Sequence, residues 1–290
     1  MNDSRWVWLN GEIIRETEAM IPAVQSGLFY GAGCFETMVS EKGFIFRYNE
    51  HLERMFGALR YLGLSEIHFP DKGDILKQIH KLILHSGFDN DRVRVRIQAS
   101  LKENYGYDSN EPTDIVTLIT VSPVTNKTNP ARLFQTKTRV VPDVCRPAHF
   151  KLSNMLHYRN AFKKAKREGA DDALMLTTNG FIAETATANV FWKKGNTIYT
   201  SSGLCDILPG IMREAVIEII ESDDIYSLKE GKFFTNHLMN ADSIWLTNSV
   251  IEIREVQSIN GNIIPVDKHF IDHLRDQLNK LKEVERFSGK

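Results

Sequence analysis

Hydrophobic and polar residues alternate strictly from Arg92 to Leu101, with aliphatic side chains on one side and arginine or glutamine on the other. This period of two predicts a strand with one buried face. After Asn49 the apolar residues recur at helical spacing, which predicts a helix that Asn49 caps and Gly63 ends. The stretch Trp6–Ile14 contains Asn10-Gly11 between two apolar runs, which indicates a hairpin.

The same patterns predict strands and helices along the rest of the chain, mixed in both halves. The strands are predicted at 34–40, 44–47, 115–121, 132–141, 173–177, 188–192, 197–200, 243–247 and 251–256, and the helices at 71–87, 153–167, after Pro209-Gly210 and after Pro265. Between them, Ser122–Pro130 is polar, contains two prolines and lacks periodicity. We therefore predict an α+β fold with an N-terminal domain (1–122), a linker (123–131) and a C-terminal domain (132–290).

Composition limits the classes of function. The chain has 290 residues, and its 36 Lys+Arg against 37 Asp+Glu give a net charge of −1, so bulk charge does not favour nucleic acid or a membrane surface. The three cysteines are far apart and include no Cys-x-x-Cys, which argues against a disulfide framework or a metal site. Neither a signal-peptide core nor an apolar stretch of about 20 residues is present, so we expect a cytoplasmic protein.

Several positions could carry chemistry. Lys151 lies between apolar neighbours, and desolvation of its amine favours Schiff-base formation, although a solvated surface lysine fits the same pattern. Residues 208–213 open a helix whose free N–H groups suit an anion, and Thr247-Asn248-Ser249 could bind a phosphate at a strand end. Both also fit ordinary turn and helix-start chemistry.

Two further charged residues have open interpretations. Arg54 shares a helix face with His51, and an inward arginine requires a buried anion, whereas a rim arginine does not. Glu184 follows the turn Thr178-Asn179-Gly180 and precedes a run of small residues. Its carboxylate could meet a protonated ring nitrogen, or it could be an exposed loop glutamate.

Taken in order, these segments resemble the class IV aminotransferases, the fold-type IV pyridoxal-phosphate enzymes. That family includes branched-chain and D-amino-acid aminotransferases and 4-amino-4-deoxychorismate lyases. The resemblance covers nearly the whole chain. The matching stretches are Tyr30–Thr37, His51–Met55, Lys151–Asn154, Gly169–Leu174, Gly180–Glu184 continuing to Phe191, Leu208–Ile211 and Thr247–Ser249.

The resemblance implies a smaller N-terminal α/β domain and a larger C-terminal domain built round a β-barrel-like sheet. It also implies a homodimer that binds pyridoxal 5′-phosphate and a small amino-acid-like substrate. Lys151 looks like the lysine that forms the Schiff base with the cofactor and later acts as the general base. The other residues that it identifies as cofactor ligands are Glu184 at the pyridine nitrogen, Asn189, and Arg54, Ile211, Met212 and Ser249 around the phosphate.

Three features favour the lyase over the transaminases. Thr37 matches a threonine typical of the lyases, where branched-chain transaminases usually carry glycine, and the resemblance makes it the second catalytic candidate beside Lys151. Thr247-Asn248-Ser249 is more similar to the lyase pattern than to the Gly-Thr-Ala of branched-chain enzymes. Met155 stands where transaminases commonly place a tyrosine that bonds the ring hydroxyl of the cofactor, and a thioether cannot donate that bond.

Two departures concern substrate binding. Ala32 replaces an aspartate usual in its stretch, and the arginine-rich loop of many lyases is absent after Leu101. Arg94 or Arg96 could bind the substrate carboxylate instead, or could simply be solvated. The remaining candidates for substrate contact are Tyr30, Tyr105 and Tyr107. We expect an aminodeoxychorismate lyase, with a branched-chain or D-amino-acid aminotransferase as the alternative and a non-catalytic cofactor-binding module as a remote one.

Overall fold

The computed structural model describes residues 5–64, 66, 70–102, 114–125 and 129–288. The chain forms two compact units, one made of residues 1–125 with 150–154 and the other of 126–149 with 155–290. The short segment 150–154 therefore groups with the first unit although it follows the predicted linker in sequence. The predicted domain bounds (1–122, 123–131 and 132–290) stay a prediction.

The first unit contains an antiparallel sheet with helices. Its strands are β1 (Trp6–Leu9), β2 (Glu12–Arg15), β3 (Gly33–Glu41), β4 (Phe44–Ile45), β5 (Arg92–Leu101) and β6 (Ile115–Pro123), and its helices are α1 (Ser26–Phe29), α2 (Tyr48–Tyr61) and α3 (Lys72–His85). A short 3-10 helix spans Glu16–Glu18. Across the sheet the described strands run in the order β2-β1-β6-β5-β3-β4.

The core of this unit lies where the sequence pattern placed it. The aliphatic side of β5 is buried, with Val95, Ile97 and Ala99 at 0% exposure, which confirms the alternation predicted for 92–101. The hairpin is also confirmed, since β1 and β2 pair directly across Asn10-Gly11. Helix α2 packs on β3, so the polar or charged residues of these two elements that face inward must be satisfied inside the unit.

The predicted cap of α2 was wrong. The helix begins at Tyr48, and the residue before it is Arg47, whose φ of 54° is left-handed. This conformation ends the preceding turn, so Asn49 is already inside the helix rather than at its cap. The predicted end is confirmed, because the helix ends at Tyr61 and Gly63 has a φ of 89° that suits glycine.

The second unit contains the larger sheet. Its strands are β7 (Ala131–Arg139), β8 (Asp172–Leu176), β9 (Ile182–Thr185), β10 (Asn189–Lys194), β11 (Thr197–Ser201), β12 (Ser227–Gly231), β13 (Ser243–Asn248), β14 (Glu252–Ile259) and β15 (Asn262–Ile263). Its helices are α4 (Leu156–Arg167), α5 (Ile211–Glu221), α6 (Asn236–Met239) and α7 (Lys268–Ser288), with a 3-10 helix at Gly203–Cys205.

This sheet mixes parallel and antiparallel pairs. Its described strands run in the order β12-β11-β10-β13-β14-β7-β8-β9, and β15 pairs with β14. The pairs of β7 with β8, of β7 with β14 and of β11 with β12 are parallel. Helix α4 packs on β7 and β8, while α5 packs on β12, β13 and α7. These contacts position the start of α5 beside the strands that carry the candidate residues of this unit.

Two local predictions for the second half need correction. Helix α4 begins at Leu156, three residues after the predicted Ser153, because Ser153 N donates to Gly33 O at 2.8 Å and so stays in an extended segment. The sequence pattern also missed the short helix α6 and the strands β9, β12 and β15, of which β9 contains Glu184. In the described ranges, the chain has no helix with the length and apolar character that crossing a membrane requires.

Candidate active site

A buried carboxylate anchors the first unit. Glu36 lies on the inward side of β3 with 0% exposure, between buried Cys34 and Met38. Arg54 of α2 donates to it twice, from Nε to Oε1 at 2.7 Å and from Nη2 to Oε2 at 2.9 Å. His51 Nδ1 lies 2.8 Å from the same Oε2. The buried anion expected for Arg54 is thus, inside this unit, a glutamate of the neighbouring strand.

The charges of this cluster stabilise each other. Burial alone disfavours the ionised form of Glu36, but the charge of Arg54 and the hydrogen bonds from His51 and Arg54 hold its pKa well below the ordinary range. Burial lowers the pKa of His51, and the hydrogen bond to Glu36 only partly opposes it. We infer that at neutral pH the cluster contains an ionised Glu36 beside the Arg54 cation and an uncharged His51.

The segment that carries Lys151 forms backbone hydrogen bonds with β3. Phe35 N donates to Lys151 O at 3.0 Å, and Leu152 forms a bridge with Cys34. The Lys151 Nζ lies 5.0 Å from the centre of the Phe35 ring. Ser153 N in the same extended segment donates to Gly33 O at 2.8 Å, so the sheet holds the backbone at the lysine and directly after it.

A polar network covers the outer side of the same strands. The Arg96 guanidinium carbon lies 3.8 Å from the centre of the Phe35 ring, and Arg96 Nη2 donates to Gln98 Oε1 at 2.9 Å. Gln98 Nε2 in turn donates to Ser153 Oγ at 2.6 Å. Burial, and then the charge of Arg94, lower the pKa of Arg96. The network therefore connects an arginine that lacks a described carboxylate partner to the segment of Lys151.

The other candidates of the first unit are spread along its strands. Thr37 is half-buried on β3 and pairs with Arg96 in the sheet register. Arg94 is exposed and donates from Nε and Nη2 to Ser122 Oγ at 3.2 and 3.0 Å. Tyr30 follows α1 and is 46% exposed. Tyr105 and Tyr107 lie outside the described residues.

Glu184 is the corresponding buried carboxylate of the second unit. It is 6% exposed on β9, so the alternative of an exposed loop glutamate was wrong. Tyr158 OH donates to its Oε1 at 2.5 Å, while Asn189 Nδ2 and Leu208 N donate to Oε2 at 3.1 and 3.3 Å. Burial and the neighbouring negative charge of Glu184 raise the pKa of Tyr158 well above its usual value. Tyr158 is therefore a protonated donor that fixes Glu184.

Asn189 connects this carboxylate to the start of α5. Its Nδ2 also donates to Leu208 O at 2.9 Å, and a Cβ at Gly210 would lie 2.1 Å from Asn189 Oδ1. Only glycine fits at this position. Gly210 is the residue before α5, and no side chain caps the helix, whose first residues are Ile211 and Met212. The N–H groups of a first helical turn have no acceptor within the helix and suit an anion.

The end of β13 adds hydroxyl groups. Thr247 pairs with Asn189 in the sheet register and is 1% exposed. Its Oγ1 is a buried hydroxyl without a hydrogen-bond partner among the described residues. Ser249, half-buried, follows two positions later. The second unit thus holds a fixed carboxylate, an uncapped helix start and an unsatisfied hydroxyl.

The family model for class IV aminotransferases (Amino-transferase class IV) matches residues 33–259, more than half of the chain. The chain belongs to the class IV aminotransferase family. Members of this family are pyridoxal-phosphate-dependent enzymes, so the predicted family, enzyme class and cofactor are confirmed.

Named relatives within this family differ in their reactions. The chain is 32% identical over 257 residues to the aminodeoxychorismate lyase of Bacillus subtilis (strain 168), covering 85% of this chain and 84% of that protein. It is 27% identical to a probable branched-chain-amino-acid aminotransferase of Rickettsia bellii (strain RML369-C), covering 97% of both. The crystal structure of the branched-chain aminotransferase of Thermoproteus uzoniensis with norvaline superposes with a TM-score of 0.86 at 24% identity, covering 98% of both chains. This likeness confirms the predicted fold.

The residues present fit pyridoxal phosphate. A pyridine nitrogen needs a fixed anion beside it, and Glu184 is a buried carboxylate oriented by three donors. A phosphate needs N–H and O–H donors, which the start of α5 and the orphaned Thr247 hydroxyl offer. Lys151 supplies the amine, on a segment held by two backbone hydrogen bonds to β3. The individual site assignments nevertheless stay predictions.

Sequence reasoning missed two residues of these clusters. Glu36 stands between Cys34 and Met38 on the side of β3 that the alternation buries, so a charged residue there signals a buried ion pair. Tyr158 had a weaker signal, an aromatic residue on the apolar side of a helix. Its bond to Glu184 joins residues 26 positions apart and is not visible in either local pattern.

Proposed function

We propose that the protein is a 4-amino-4-deoxychorismate lyase, which eliminates pyruvate from its substrate and leaves 4-aminobenzoate. The observation that carries the proposal is Met155, at the position where transaminases of the family commonly place a tyrosine. Met155 Sδ accepts a hydrogen bond from Arg146 Nη1 at 3.3 Å, and a thioether has no hydrogen to donate to a ring oxygen. Thr37 and the named relative from Bacillus subtilis support the same reaction.

The proposal gives each residue a role. Bound pyridoxal phosphate supplies an electron sink for the substrate carbon that bears the amine. Lys151 holds the cofactor and later takes the proton from that carbon, and Glu184 keeps the ring nitrogen protonated. Asn189 positions Glu184. The groups proposed to bind the phosphate are Arg54, the backbone of Ile211 and Met212, and Ser249.

Substrate binding is proposed for the outer side of the first sheet. Arg96 is half-buried over the Phe35 ring, and its pKa is lowered by burial and then by Arg94, so a carboxylate ligand would be favoured there. Thr37 is its neighbour in the register. Arg94 and Tyr30 stay secondary candidates for the same substrate.

A homodimer is the proposed assembly. The first unit exposes a cluster of large apolar side chains close in sequence, and such patches on soluble proteins mark interaction sites. The cluster comprises Met20, Ile21, Val24, Leu28 and Phe29, each at least 50% exposed. Sedimentation at working concentration is expected to give a dimer, and a monomer would contradict this part of the proposal.

A branched-chain aminotransferase is the second candidate. It is favoured by the coverage of 97% of both chains in the match to the Rickettsia bellii relative. Both reactions begin with the same residues, so the lysine and the phosphate ligands do not separate them.

A paired assay of the purified holoenzyme tests the two reactions. One arm supplies aminodeoxychorismate and measures 4-aminobenzoate and pyruvate, and the other supplies branched-chain or D-amino acids with 2-oxoglutarate and measures keto acids. We expect product in the first arm, with Lys151→Ala as the inactive control in both. Keto acids without 4-aminobenzoate would refute the lyase and establish a transaminase.

A further inference from the structure

The buried arginines of the described chain differ in their partners. Arg213, 4% exposed, donates from Nη1 to Glu214 Oε1 at 2.6 Å and from Nη2 to Glu230. Arg254, 8% exposed, has its Nη2 at 3.7 Å from Asp171 and donates from Nε to a backbone carbonyl. Both guanidinium groups are thus compensated by carboxylates of the second unit, as a buried cation requires.

Arg146 is buried to the same extent without such compensation. It is 8% exposed, and no carboxylate of the described residues lies within ion-pair distance of it. Its Nη1 donates to Met155 Sδ at 3.3 Å, and its Nε has no hydrogen-bond partner among the described residues. A thioether is a weak acceptor, and a guanidinium cannot shed its charge by deprotonation. Arg146 therefore lacks an anion.

The charge of Arg146 acts on a second residue that has a buried polar atom without a described partner. His157 Nε2 is buried and also has no partner among the described residues. Burial, and then the charge of Arg146, lower the pKa of His157, so its ring is uncharged at neutral pH and has one N–H to donate. The next residue, Tyr158, gives its hydroxyl hydrogen to Glu184 and leaves the cation uncompensated.

We propose that Arg146, with His157 beside it, forms a binding site for a small carboxylate in the second unit. The planar guanidinium matches the two oxygens of a carboxylate, and the His157 ring adds an N–H donor. Arg146 and His157 are not among the residues proposed to hold the cofactor, although Arg146 contacts Met155, and the site does not depend on which of the two reactions the enzyme performs.

The test uses thermal unfolding of the cofactor-free protein in acetate or chloride at equal ionic strength. Acetate is expected to raise the unfolding midpoint of the wild type by about 2–4 °C over chloride, since a ligand of the folded state stabilises it. Arg146→Met keeps the length of the side chain and is expected to lose this response. In chloride the unfolding midpoint of this variant should be no lower than that of the wild type, because the substitution removes an uncompensated charge.

Arg213→Met is the matched control, because Arg213 is equally buried but paired. It is expected to lower the midpoint by several degrees and to keep the full acetate response. Arg146→Lys keeps the positive charge but lacks the planar guanidinium group that can donate two parallel hydrogen bonds to a carboxylate. It is therefore expected to retain only part of the rise in unfolding midpoint that acetate causes.

Three results would overturn the site. Arg146→Met could destabilise the protein as much as Arg213→Met while the wild type shows no acetate response, which would make Arg146 a structural residue. An equal acetate response in wild type and Arg146→Met would place the anion elsewhere. A loss of dimer in Arg146→Met, seen by sedimentation without any acetate response of the wild type, would assign the missing anion to a second copy of the chain.

The holoenzyme then identifies the source of the carboxylate. If the substrate provides it, Arg146→Met is expected to raise KM at least tenfold with a smaller change in kcat. If a free acid provides it, KM is expected to stay unchanged in Arg146→Met. Acetate is then still expected to raise the unfolding midpoint of the wild type but not that of the variant. A fall in kcat with unchanged KM, together with an intact acetate response in the variant, would contradict the site.

Discussion

Glu36 gives the sharpest test of how the first unit holds its charges. The change Glu36→Gln removes the negative charge while keeping the size of the side chain. It leaves the Arg54 guanidinium facing an amide, and it replaces the acceptor that lies 2.8 Å from His51 Nδ1. The geometry of the core is otherwise unchanged, so the effect measures the ion pair.

The size of the effect follows from burial and geometry. Glu36 is 0% exposed, the Arg54 side chain is 11% exposed, and the two hydrogen bonds between them measure 2.7 and 2.9 Å. Removing one partner of such a buried pair costs about 3–5 kcal/mol. Because the glutamine oxygen still accepts one hydrogen bond, we expect the lower end, about 3 kcal/mol, or about 6 °C or more in the unfolding midpoint.

Urea denaturation of the cofactor-free protein measures this loss. Glu53→Gln is the matched control, since Glu53 lies on the same helix and pairs with Lys72 with its side chain 58% exposed. An exposed pair contributes about 0–1 kcal/mol, so the control should be nearly unchanged. A double-mutant cycle with Arg54→Met should return a coupling of at least about 2 kcal/mol.

The pH dependence provides the refutation. The pKa of Glu36 is lowered in the folded protein. Its contribution to the free energy of unfolding is therefore complete above its pKa in the unfolded chain, about 4.3, and is lost as the pH falls toward its pKa in the folded protein. The difference between wild type and Glu36→Gln should therefore shrink on acidification from pH 7 to pH 3. A difference below about 1 kcal/mol at pH 7, or one that grows on acidification, would refute the ion-pair account.

Three further changes test the candidate site. Lys151→Ala should abolish turnover and leave no lysine-bound cofactor after borohydride reduction, as read by mass spectrometry; a retained lysine adduct would show that another lysine binds it. Tyr158→Phe removes a 2.5 Å donor from buried Glu184 and should lower the stability of the cofactor-free protein by about 1–3 kcal/mol, whereas an unchanged stability would contradict the bond. Gly33→Ala places a Cβ 2.4 Å from Ala99 O and should cost about 1–3 kcal/mol in urea denaturation; a neutral result would refute this close approach.

Local periodicity predicted the elements that bury one regular face. β5 and the hairpin at Asn10-Gly11 were confirmed because their patterns arise from neighbours in sequence. β9 was missed since all of its residues, Ile182–Thr185, are buried, and a strand buried on both faces shows no alternation. The start of α4 was misplaced because Ser153 bonds to residues of another strand, which a local pattern does not contain.

The candidate site was predictable in its residue types but not in its pairings. The resemblance identified Arg54 and Glu184, and an inward arginine was expected to need an anion. The structure pairs Arg54 with Glu36, 18 positions earlier in the chain, and Glu184 with Tyr158. These pairings depend on which elements pack together, and the alternation of β3 gives only the side on which Glu36 lies.

Buried polar groups that have hydrogen-bond partners within the protein differ in role from those that have none. The first group maintains the structure, and the second is available to bind a ligand. Glu36 and Glu184 are each held by three contacts within their own unit, so neither needs a ligand to remain buried. Thr247 and Arg146 have buried polar atoms with no described partner, and leaving such atoms unpaired costs free energy. A ligand that forms hydrogen bonds with these atoms removes this cost, so these groups contribute favourably to the free energy of binding. The fold itself therefore holds the paired carboxylates in place, while the unpaired polar groups of the second unit are the ones that a ligand would complete.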